Sequence, residues 1–450
     1  MEPDRLARYD RRVPRYTSYP TAPHLHPGVG ADACGRWLEE LPDGPLSLYL
    51  HIPFCDTLCW FCGCHTKIVR RYAPVAGYLE TLESEIELVA RRIGAGRRVR
   101  HIHFGGGSPT ILEPADLCRL GDGLRRWFEV EADAEIAVEI DPRGLDRARI
   151  LALAAIGVNR ASLGVQDVNP EVQRAVNRVQ PFETTARVAS WLRDAGIEAL
   201  NVDLMYGLPH QTVADVERTA GAALRLDPDR LALFGYAHVP WLKRHQRLID
   251  EAALPGAVER WRQFQTAHRR LEAAGYRPIG LDHFARPGDP LARALADGRL
   301  RRNFQGYTAD PAPVLLGFGA SAIGSLPQGY VQNAVPVRAW GEAIRAGRLA
   351  TVRGLELDDE DRLRRAVIER LMCDLEVDLE AVGRRFGVDA GHFMPELDAL
   401  AGLAADRIVV IGAGGRIRVP DEARPLVRVV AAVFDQYLDA AGAARHARAV

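Results

Sequence analysis

The stretch from Tyr49 to Cys64 reads Y-L-H-I-P-F-C-D-T-L-C-W-F-C-G-C and contains four of the seven cysteines of the chain. Within it, Cys55, Cys59 and Cys62 follow the spacing C-x3-C-x2-C. Closely spaced cysteine thiolates are the usual ligands of iron–sulfur clusters, and this spacing lets one short loop bind three irons of a four-iron cube. The fourth iron then keeps an open coordination position, where a metal site can do chemistry as well as support the fold.

Two other interpretations of these cysteines are a zinc site and a disulfide. A zinc site normally has a second ligand pair, such as C-x2-C or H-x3-H, further along the chain, and this sequence has none. Disulfides fit poorly with an odd number of cysteines and with charged first residues that are unlike a secretory signal. The sequence therefore predicts a [4Fe-4S] cluster bound by three cysteines.

The cysteine loop resembles that of the radical S-adenosylmethionine enzymes. The additional Cys64 and the flanking Tyr49 and His51 narrow the resemblance to the oxygen-independent coproporphyrinogen III oxidases, or dehydrogenases, of haem biosynthesis. This resemblance implies that the open iron chelates the amino and carboxylate groups of S-adenosylmethionine. It also implies that an electron from the reduced cluster splits the sulfonium, which gives methionine and a 5'-deoxyadenosyl radical.

Length and composition are typical of a cytosolic enzyme. The 450 residues are 47% hydrophobic, which is enough for one large domain and a smaller one. The net charge of -1 gives no long-range attraction to nucleic acid or to an anionic membrane. No apolar run reaches the roughly 20 residues that a membrane-spanning helix needs. We therefore expect a soluble, cytoplasmic monomer with no nucleic-acid or membrane partner.

Strand-like apolar runs alternate with helical segments through the first two thirds of the chain. The predicted strands are Leu46–His51, Val99–Phe104, Glu135–Ile140, Ala161–Val165, Leu200–Met205 and Leu231–Tyr236. Such alternation predicts right-handed βαβ units and a parallel sheet. Six units predict an α/β fold in the form of a partial (β/α)6 barrel.

The pattern changes after Gly354. Residues 359–386 have the pattern of two helices around a turn, and Arg407–Val419 has the pattern of a hairpin with a glycine-rich turn. These features predict a mostly helical, winged-helix-like C-terminal domain. Acidic residues outnumber basic ones in it, so we expect it to cover the barrel and not to bind DNA. The predicted divisions are an N-terminal substrate-covering segment at 1–45, the barrel at 46–354 and the C-terminal domain at 355–450.

In parallel α/β folds, ligands bind beyond the carboxyl ends of the strands. Glu139, Gln166 and Asp203 come at or near the ends of three successive predicted strands, where they could hydrogen-bond ribose hydroxyls and adenine. Each of them alone is more often a helix cap or an ion-pair partner, but their recurrence at three strand ends favours a binding site. The glycine run Gly105–Gly107 lets the backbone approach a ligand closely, although a simple tight turn is an alternative.

The resemblance assigns further contacts, residue by residue. It places contacts to S-adenosylmethionine at Tyr49, Gly106, Glu139, Gln166, Arg178, Asp203, Ala237 and Ile323. Contacts to a second S-adenosylmethionine fall on Phe61, Gly107 and Ser108. The family usually has threonine at the last of these positions, and the serine keeps the hydroxyl.

The N-terminal string P-R-Y-T-S-Y-P-T runs from Pro14 to Thr21. Its prolines and small hydroxyl residues alone favour an extended, loosely held arm. The resemblance instead implies that this string covers the active site. Arg15, Tyr16 and Tyr19 are then candidate contacts for a substrate that carries four carboxylates.

The activity implied by the resemblance is the oxidative decarboxylation of two propionates of coproporphyrinogen III to vinyl groups, which gives protoporphyrinogen IX without oxygen. Two side chains imply two S-adenosylmethionines per turnover, with an electron donor and an acceptor that the sequence does not identify. The alternatives are a haem chaperone of the same superfamily and a radical methyltransferase that opens haem anaerobically. Cys64 and the N-terminal string are the features that separate the oxidase from the chaperone.

Cys64 is the remaining candidate of the cysteine loop. Because it follows Cys62 by only two residues, the two thiols cannot easily reach different irons of one cube. A fourth thiolate would also occupy the iron that has to chelate the cofactor. We therefore predict that Cys64 is not a ligand but lies beside the cluster, in proton or electron handling, with simple packing as the alternative.

Overall fold

The centre of the fold is a twelve-stranded sheet, seen in a computed structural model that describes Leu6, residues 8–438 and residues 446–449. Its strands are β1 (Leu46–Ile52), β2 (Arg97–Gly106), β3 (Phe128–Ile140), β4 (Arg160–Gln166), β5 (Ala199–Tyr206), β6 (Arg230–Gly235), β7 (Arg277–Ile279), β8 (His283–Ala285), β9 (Val314–Phe318), β10 (Ile323–Leu326), β11 (Gly329–Asn333) and β12 (Thr351–Glu356). Their order across the sheet is β12-β11-β10-β9-β1-β2-β3-β4-β5-β6-β8-β7.

The middle of the sheet is parallel and its two margins are antiparallel. Strands β1 to β6 pair in parallel in chain order, and β9 adds a seventh parallel strand beside β1. Strands β10 to β12 and the pair β8 and β7 extend the margins antiparallel. In the described part of the chain β12 and β7 are the two outermost strands and do not pair with each other, so the sheet is open. The predicted parallel α/β architecture and all six predicted strands are confirmed.

Helices follow the strands and cover the outside of the sheet. The helices are α1 (Ala31–Glu39), α2 (Ala73–Ile93), α3 (Pro114–Trp127), α4 (Arg147–Ala155), α5 (Pro170–Ala175), α6 (Phe182–Asp194), α7 (Val213–Leu224), α8 (Ala257–Ala273), α9 (Pro290–Ala296), α10 (Val337–Arg345), α11 (Asp359–Asp374), α12 (Leu379–Phe386), α13 (Met394–Ala399), α14 (Ala401–Ala405) and α15 (Val427–Ala431). In α2, Val75, Leu79, Leu82 and Ile86 recur at helical spacing and are buried against the sheet. Within the described residues, no helix is long and apolar enough to cross a membrane.

The C-terminal domain has its own apolar core around α11. A three-stranded antiparallel sheet of Glu376–Asp378, Arg416–Arg418 and Val410–Ile411 lies beside the helices, so the predicted combination of helices and a hairpin is found. The Asp358 side chain begins α11 with a reciprocal capping box to Asp361. Strand β12 ends at Glu356, so the predicted boundary at residue 354 falls inside the last strand of the barrel sheet.

The N-terminal segment is divided between the two cores. Tyr9, Tyr16 and Tyr19 are buried in the core of the C-terminal domain. Helix α1 instead packs on α2 and contributes Trp37 to the core of the barrel. The described residues of the segment 1–45 therefore contribute to the cores of both domains.

Candidate active site

A cavity of about 620 Å³ lies inside the barrel, between β2 to β6 and the cysteine loop. The predicted site residues that line it are Arg15, Phe61, Cys62, Cys64, Glu139, Gln166, Asp203 and Ala237. Those that do not are Tyr16, Tyr19, Tyr49, Cys55, Cys59, Gly106, Gly107, Ser108, Arg178 and Ile323. The structure therefore brings the polar strand ends and one side of the cysteine loop around a common space.

The cysteine loop is held from behind by two arginines. Nη2 of Arg143 lies 3.2 Å from Cys59 Sγ, and Nη1 of Arg178 lies 3.4 Å from the same sulfur. Both guanidinium groups also donate to Oδ2 of Asp141, at 2.6 and 3.1 Å. Arg178 further donates from Nη2 to the carbonyl of Gly164 in β4, at 2.7 Å. Two guanidinium groups therefore fix the position of Cys59 from the side away from the cavity.

The sulfurs of the loop lie in different environments. Burial raises the pKa of Cys55 to about 12, whereas hydrogen bonds from Cys64 lower the pKa of Cys62 to about 7. Each thiolate of a cube binds a different iron, so the three sulfurs need not converge. Accordingly, nowhere in the described ranges do three His, Cys, Asp or Glu side chains group around one metal position. Three thiols on one loop, with cations behind them, fit a [4Fe-4S] cluster.

A short segment after β6 fixes the other end of the loop. Lys243 Nζ donates to the carbonyl of Cys64 at 3.0 Å, and His245 Nε2 donates to the carbonyl of Cys62 at 2.8 Å. Nε2 of the buried Gln246 donates to the carbonyl of Phe61 at 3.0 Å. We call these three side chains the loop clamp. They were missed from the sequence because about 180 residues separate them from the loop.

The glycine run after β2 is required by close packing. Gly106 has φ +113°, and a Cβ on it would lie 2.8 Å from the ring of His51. A Cβ on Gly107 would lie 2.5 Å from the carbonyl oxygen of Phe54. Both positions therefore exclude a side chain, and the turn packs tightly on the cysteine loop, with the amide of Gly107 bonded to the carbonyl of Ile52 and that of Ser108 to the carbonyl of Phe54.

Glu139 is fixed at the end of β3. Its Oε2 accepts a hydrogen bond from the amide of Gly106 at 3.1 Å, and its Oε1 lies 3.1 Å from Nε2 of His103. Burial alone would raise the pKa of Glu139, but these hydrogen bonds and the charge of His103 lower it. Glu139 is therefore a carboxylate at neutral pH, suited to an ammonium group or a hydroxyl donor.

Gln166 and Asp203 complete the polar end of the cavity. Asp203 accepts from Ser162 Oγ at 3.0 Å and from Asn201 Nδ2 at 2.8 Å, and burial raises its pKa. Gln166 has φ +67°, a strained backbone for a residue with a side chain. Its Oε1 is buried and has no hydrogen-bond partner among the described residues. An unsatisfied acceptor beside a cavity is what a missing polar ligand would leave.

The other predicted cofactor contacts are spread more widely. Tyr49 donates from its hydroxyl to Nδ1 of His51 at 3.0 Å, and Ala237 lines the cavity. Ile323 packs beside the apolar cluster of Tyr330, outside the cavity. Phe61 lines the cavity, but Ser108 lines a separate recess of about 220 Å³. The structure does not bring these last two residues, assigned to a second S-adenosylmethionine, into one space.

The three residues of the N-terminal string have different environments. Arg15 is exposed to the cavity and donates from Nη2 to the carbonyl of Gly235 at 2.8 Å. The hydroxyl of Tyr16 donates to Asp435 at 2.9 Å, and that of Tyr19 accepts from the amide of Gln436 at 3.2 Å. Only Arg15 therefore reaches the cavity, whereas the two tyrosines bind the C-terminal domain.

The inner end of the cavity carries charged residues that the sequence analysis missed. His101 and Glu135 line it with Arg160 and Arg230, and Nε of Arg160 donates to Glu135 at 2.9 Å. A signal was present in the sequence, because His101 and His103 alternate with apolar residues on β2. Polar residues at every second position of a barrel strand indicate that the barrel interior is polar and open to solvent or ligand.

Comparisons with known proteins agree over nearly the whole chain. The family model of the Radical SAM superfamily matches residues 49–223, and that of the HemN C-terminal domain matches residues 357–426. The oxygen-independent coproporphyrinogen III oxidase of Bradyrhizobium diazoefficiens is 53% identical over 442 residues, which cover 98% of each chain. The enzyme of the same name from Paracoccus denitrificans is 47% identical over 436 residues, 96% of each chain.

A solved structure shows the same fold. Coproporphyrinogen III oxidase (HemN) from Escherichia coli, described as a radical SAM enzyme, superposes with a TM-score of 0.90 at 41% sequence identity. The match covers 94% of this chain and 98% of that one, so it includes the C-terminal domain as well as the barrel. Together with the three-cysteine loop beside the barrel cavity, this similarity shows that the chain belongs to the oxygen-independent coproporphyrinogen III oxidase family of radical SAM enzymes and is an oxidoreductase.

Proposed function

We propose that this enzyme converts two propionate side chains of coproporphyrinogen III to vinyl groups, with release of carbon dioxide and without oxygen. The observation that carries the proposal is the three-cysteine loop, which presents Cys62 to a cavity of about 620 Å³ lined by polar strand ends. The relatives named for this activity align with the chain from end to end. Bound together, a [4Fe-4S] cluster and S-adenosylmethionine supply a carbon radical that can remove hydrogen from an unactivated carbon.

The chain's own residues would bind and orient that cofactor. Cys55, Cys59 and Cys62 would hold the cluster. The Glu139 carboxylate is fixed by two hydrogen bonds before any ligand arrives, so it loses little freedom on binding an amino or hydroxyl group. Asp203 is half-buried and similarly fixed, and Gln166 offers an acceptor that has no protein partner among the described residues.

Substrate recognition would depend on positive charge inside the cavity. Coproporphyrinogen III carries four carboxylates, and Arg15 presents an exposed guanidinium to the cavity. Arg160 and Arg230 line the inner end, although both are paired with acids there. We therefore assign the first carboxylate contact to Arg15. Tyr16 and Tyr19 would act indirectly, by holding the backbone on either side of this string.

Finer features belong to the same proposal. Two S-adenosylmethionines are consumed for each product, because each propionate loses one hydrogen atom separately. One electron carrier reduces the cluster, and a separate acceptor takes the electron left on each substrate side chain. All seven cysteines are free thiols, which suits a reducing, cytoplasmic environment. We propose a monomer, which light scattering after size-exclusion chromatography can check.

The test is anaerobic reconstitution with iron and sulfide, followed by an assay with coproporphyrinogen III and S-adenosylmethionine. We expect about two 5'-deoxyadenosines per protoporphyrinogen IX, because two hydrogen atoms are abstracted. Tight binding of haem without product would contradict the proposal and indicate a haem chaperone. Methyl transfer to haem, with ring opening, would indicate the anaerobic methyltransferase instead.

A further inference from the structure

The cysteine loop has two faces, and only one of them is turned to the cavity. Cys62 and Cys64 line the cavity where cofactor and substrate would bind, whereas Cys55 and Cys59 do not. On the opposite side lies the recess of about 220 Å³. Asp56, next to Cys55, and Arg143, which contacts Cys59 Sγ, both line this recess. The cluster can therefore be approached from outside without entering the cavity.

The segment Lys67–Arg71 forms the outer surface on this side. Lys67–Ile68 pairs in parallel with Phe54–Cys55, so Ile68 lies directly beside the first cluster ligand. The amide of Val69 also donates to the carbonyl of Cys55 at 3.1 Å. Neighbouring strands are about 5 Å apart.

This surface is basic with one apolar side chain in it. Lys67, Arg70 and Arg71 are exposed, and none of them forms an ion pair with a residue in the described ranges. Ile68 is 39% exposed beside them. Helix α2 begins at Ala73, directly after this segment, and has no acidic residue in its first turn. The positive end of its dipole therefore adds to the same surface.

The acidic residues around the recess only partly offset this charge. Asp56 and Glu113 line it, while Asp141 and Asp146 are already paired with Arg143 and Arg149. Lysine is rare in this chain, and the positive charge at residues 67–71 comes from one lysine and two arginines. An exposed basic rim with an apolar centre is the usual form of a transient docking surface for an acidic protein.

We propose that Lys67, Ile68, Arg70 and Arg71 form the docking surface for an acidic, one-electron carrier protein that reduces the cluster. In this step the carrier loses one electron and the cluster gains one, and no bond is made or broken. The placement leaves the cavity free, so reduction and substrate binding do not compete. The inference rests on the proposed cluster but not on the identity of the substrate.

The test measures reduction of the reconstituted cluster, followed by its visible absorbance and electron paramagnetic resonance. The probe is a flavodoxin of net negative charge, reduced to its hydroquinone, with dithionite as the small-molecule comparison. We expect the double variant Arg70→Glu/Arg71→Glu to need about ten-fold more flavodoxin for half-maximal reduction rate at low salt, because charge steering is lost. The difference should shrink at high salt. Reduction by dithionite should stay unchanged.

Two controls make the result decisive. Arg269→Glu changes an exposed arginine on α8 and should leave the flavodoxin dependence as in the wild type. Arg70→Lys/Arg71→Lys keeps the charge and should stay within about two-fold of the wild type.

An unchanged flavodoxin dependence in the charge-reversed variant overturns the inference. An equal loss with Arg269→Glu, or a loss of dithionite reduction, overturns it too, because either shows that net charge or cluster retention is responsible. Absence of protoporphyrinogen with normal reduction would count against the proposed function alone.

Discussion

At the scale of single residues, the cysteine loop holds the three predicted cluster ligands in different environments, and the sulfur of Cys64 lies in the same loop. The amide of Cys64 donates to Cys62 Sγ at 3.4 Å, so the two residues share one tight turn. Cys64 lines the cavity, on the side where the cofactor would bind. A thiol in that place can act on the bound cofactor or at the edge of the cluster. If Cys64 were itself an iron ligand, it would occupy the iron that has to stay open for the cofactor.

The first prediction separates these roles. Cys62→Ala should lose most of its iron after reconstitution, because one iron of the cube has no thiolate. Cys64→Ala should keep near wild-type iron, with an electron paramagnetic resonance spectrum that still changes on addition of S-adenosylmethionine. Cys118→Ala, a change of a half-buried cysteine on α3, serves as the matched control. Iron loss in Cys64→Ala as large as in Cys62→Ala would show that Cys64 is a ligand.

A second prediction concerns a charge beside the cavity. Burial alone would raise the pKa of Asp282, but the hydrogen bond with His283 and the charges of His283, Arg302 and Arg15 lower it to about 2. An aspartate with a depressed folded pKa stabilises the protein fully above its unfolded value of about 4, and this stabilisation is lost as the pH falls towards 2.

Asp282→Asn should therefore lower the free energy of unfolding of the apoprotein at pH 7 by about 2 kcal/mol. Urea titrations from pH 7 to pH 3 measure it, with Asp297→Asn, an exposed carboxylate after α9, as control. The difference in the free energy of unfolding between the wild type and Asp282→Asn should become smaller below pH 4. A difference in the free energy of unfolding that stays constant from pH 7 to pH 3 would show that the carboxylate charge does not stabilise the fold.

The N-terminal string shows how far single residues could be predicted. Sequence similarity indicated that Arg15, Tyr16 and Tyr19 lie near the active site; in the structure Arg15 lines the cavity, whereas the two tyrosines pack in the core of the C-terminal domain. Which of them faces the cavity depends on the packing of Asp435 and Gln436, more than 400 residues away in the chain. No local pattern in the sequence carries that information.

At the scale of elements, the barrel strands were predictable because buried apolar residues recur along each of them, often at every second position, between helical segments. Strand β9 was not, since its place beside β1 depends on pairing Leu46 with Val314 across most of the chain. The loop clamp was missed for the same reason. Its 3-10 helix, Arg244–Leu248, has no pattern that indicates contact with the cysteine loop.

The loop clamp gives the third prediction. Gln246→Leu would leave the carbonyls of Phe61 and Ala237 and the amide of Val239 without their partner in a partly buried place. Each such group costs about 1–3 kcal/mol, so the loop should open more readily and release the cluster. The half-life of the cluster in the presence of an iron chelator should fall several-fold. Arg247→Leu, on an exposed position of the same turn, is the control and should behave as the wild type.

At the scale of the whole molecule, two apolar cores are joined by the N-terminal segment. Tyr9 donates to Asp406 in the C-terminal domain at 2.7 Å. On the barrel side, Tyr330 donates to the carbonyl of Tyr19 at 2.9 Å, and His26 pairs with Gly354 of β12. The segment is thus bonded to both domains, and Arg15 reaches the cavity from the middle of it. Domain packing and the substrate contact proposed for Arg15 therefore depend on the same segment.

Deletion of residues 1–21 tests both functions of the segment together. It removes Tyr9, Tyr16 and Tyr19 from the C-terminal core, and each buried aromatic side chain contributes about 2 kcal/mol. The thermal midpoint should therefore fall by several degrees and turnover should be lost. The cluster spectrum should persist, because the cysteine loop is held by Arg143, Arg178 and the loop clamp.

Arg15→Gln in the full chain separates binding from packing. It removes the charge that faces the cavity but leaves the tyrosines in place, so the thermal midpoint should match that of the wild type. The KM for coproporphyrinogen III should rise about ten-fold or more, since a charge-assisted hydrogen bond to a carboxylate contributes about 1.5–3 kcal/mol. If Arg15→Gln has a wild-type KM while the variant without residues 1–21 is inactive, the segment acts on turnover only by packing the two domains together.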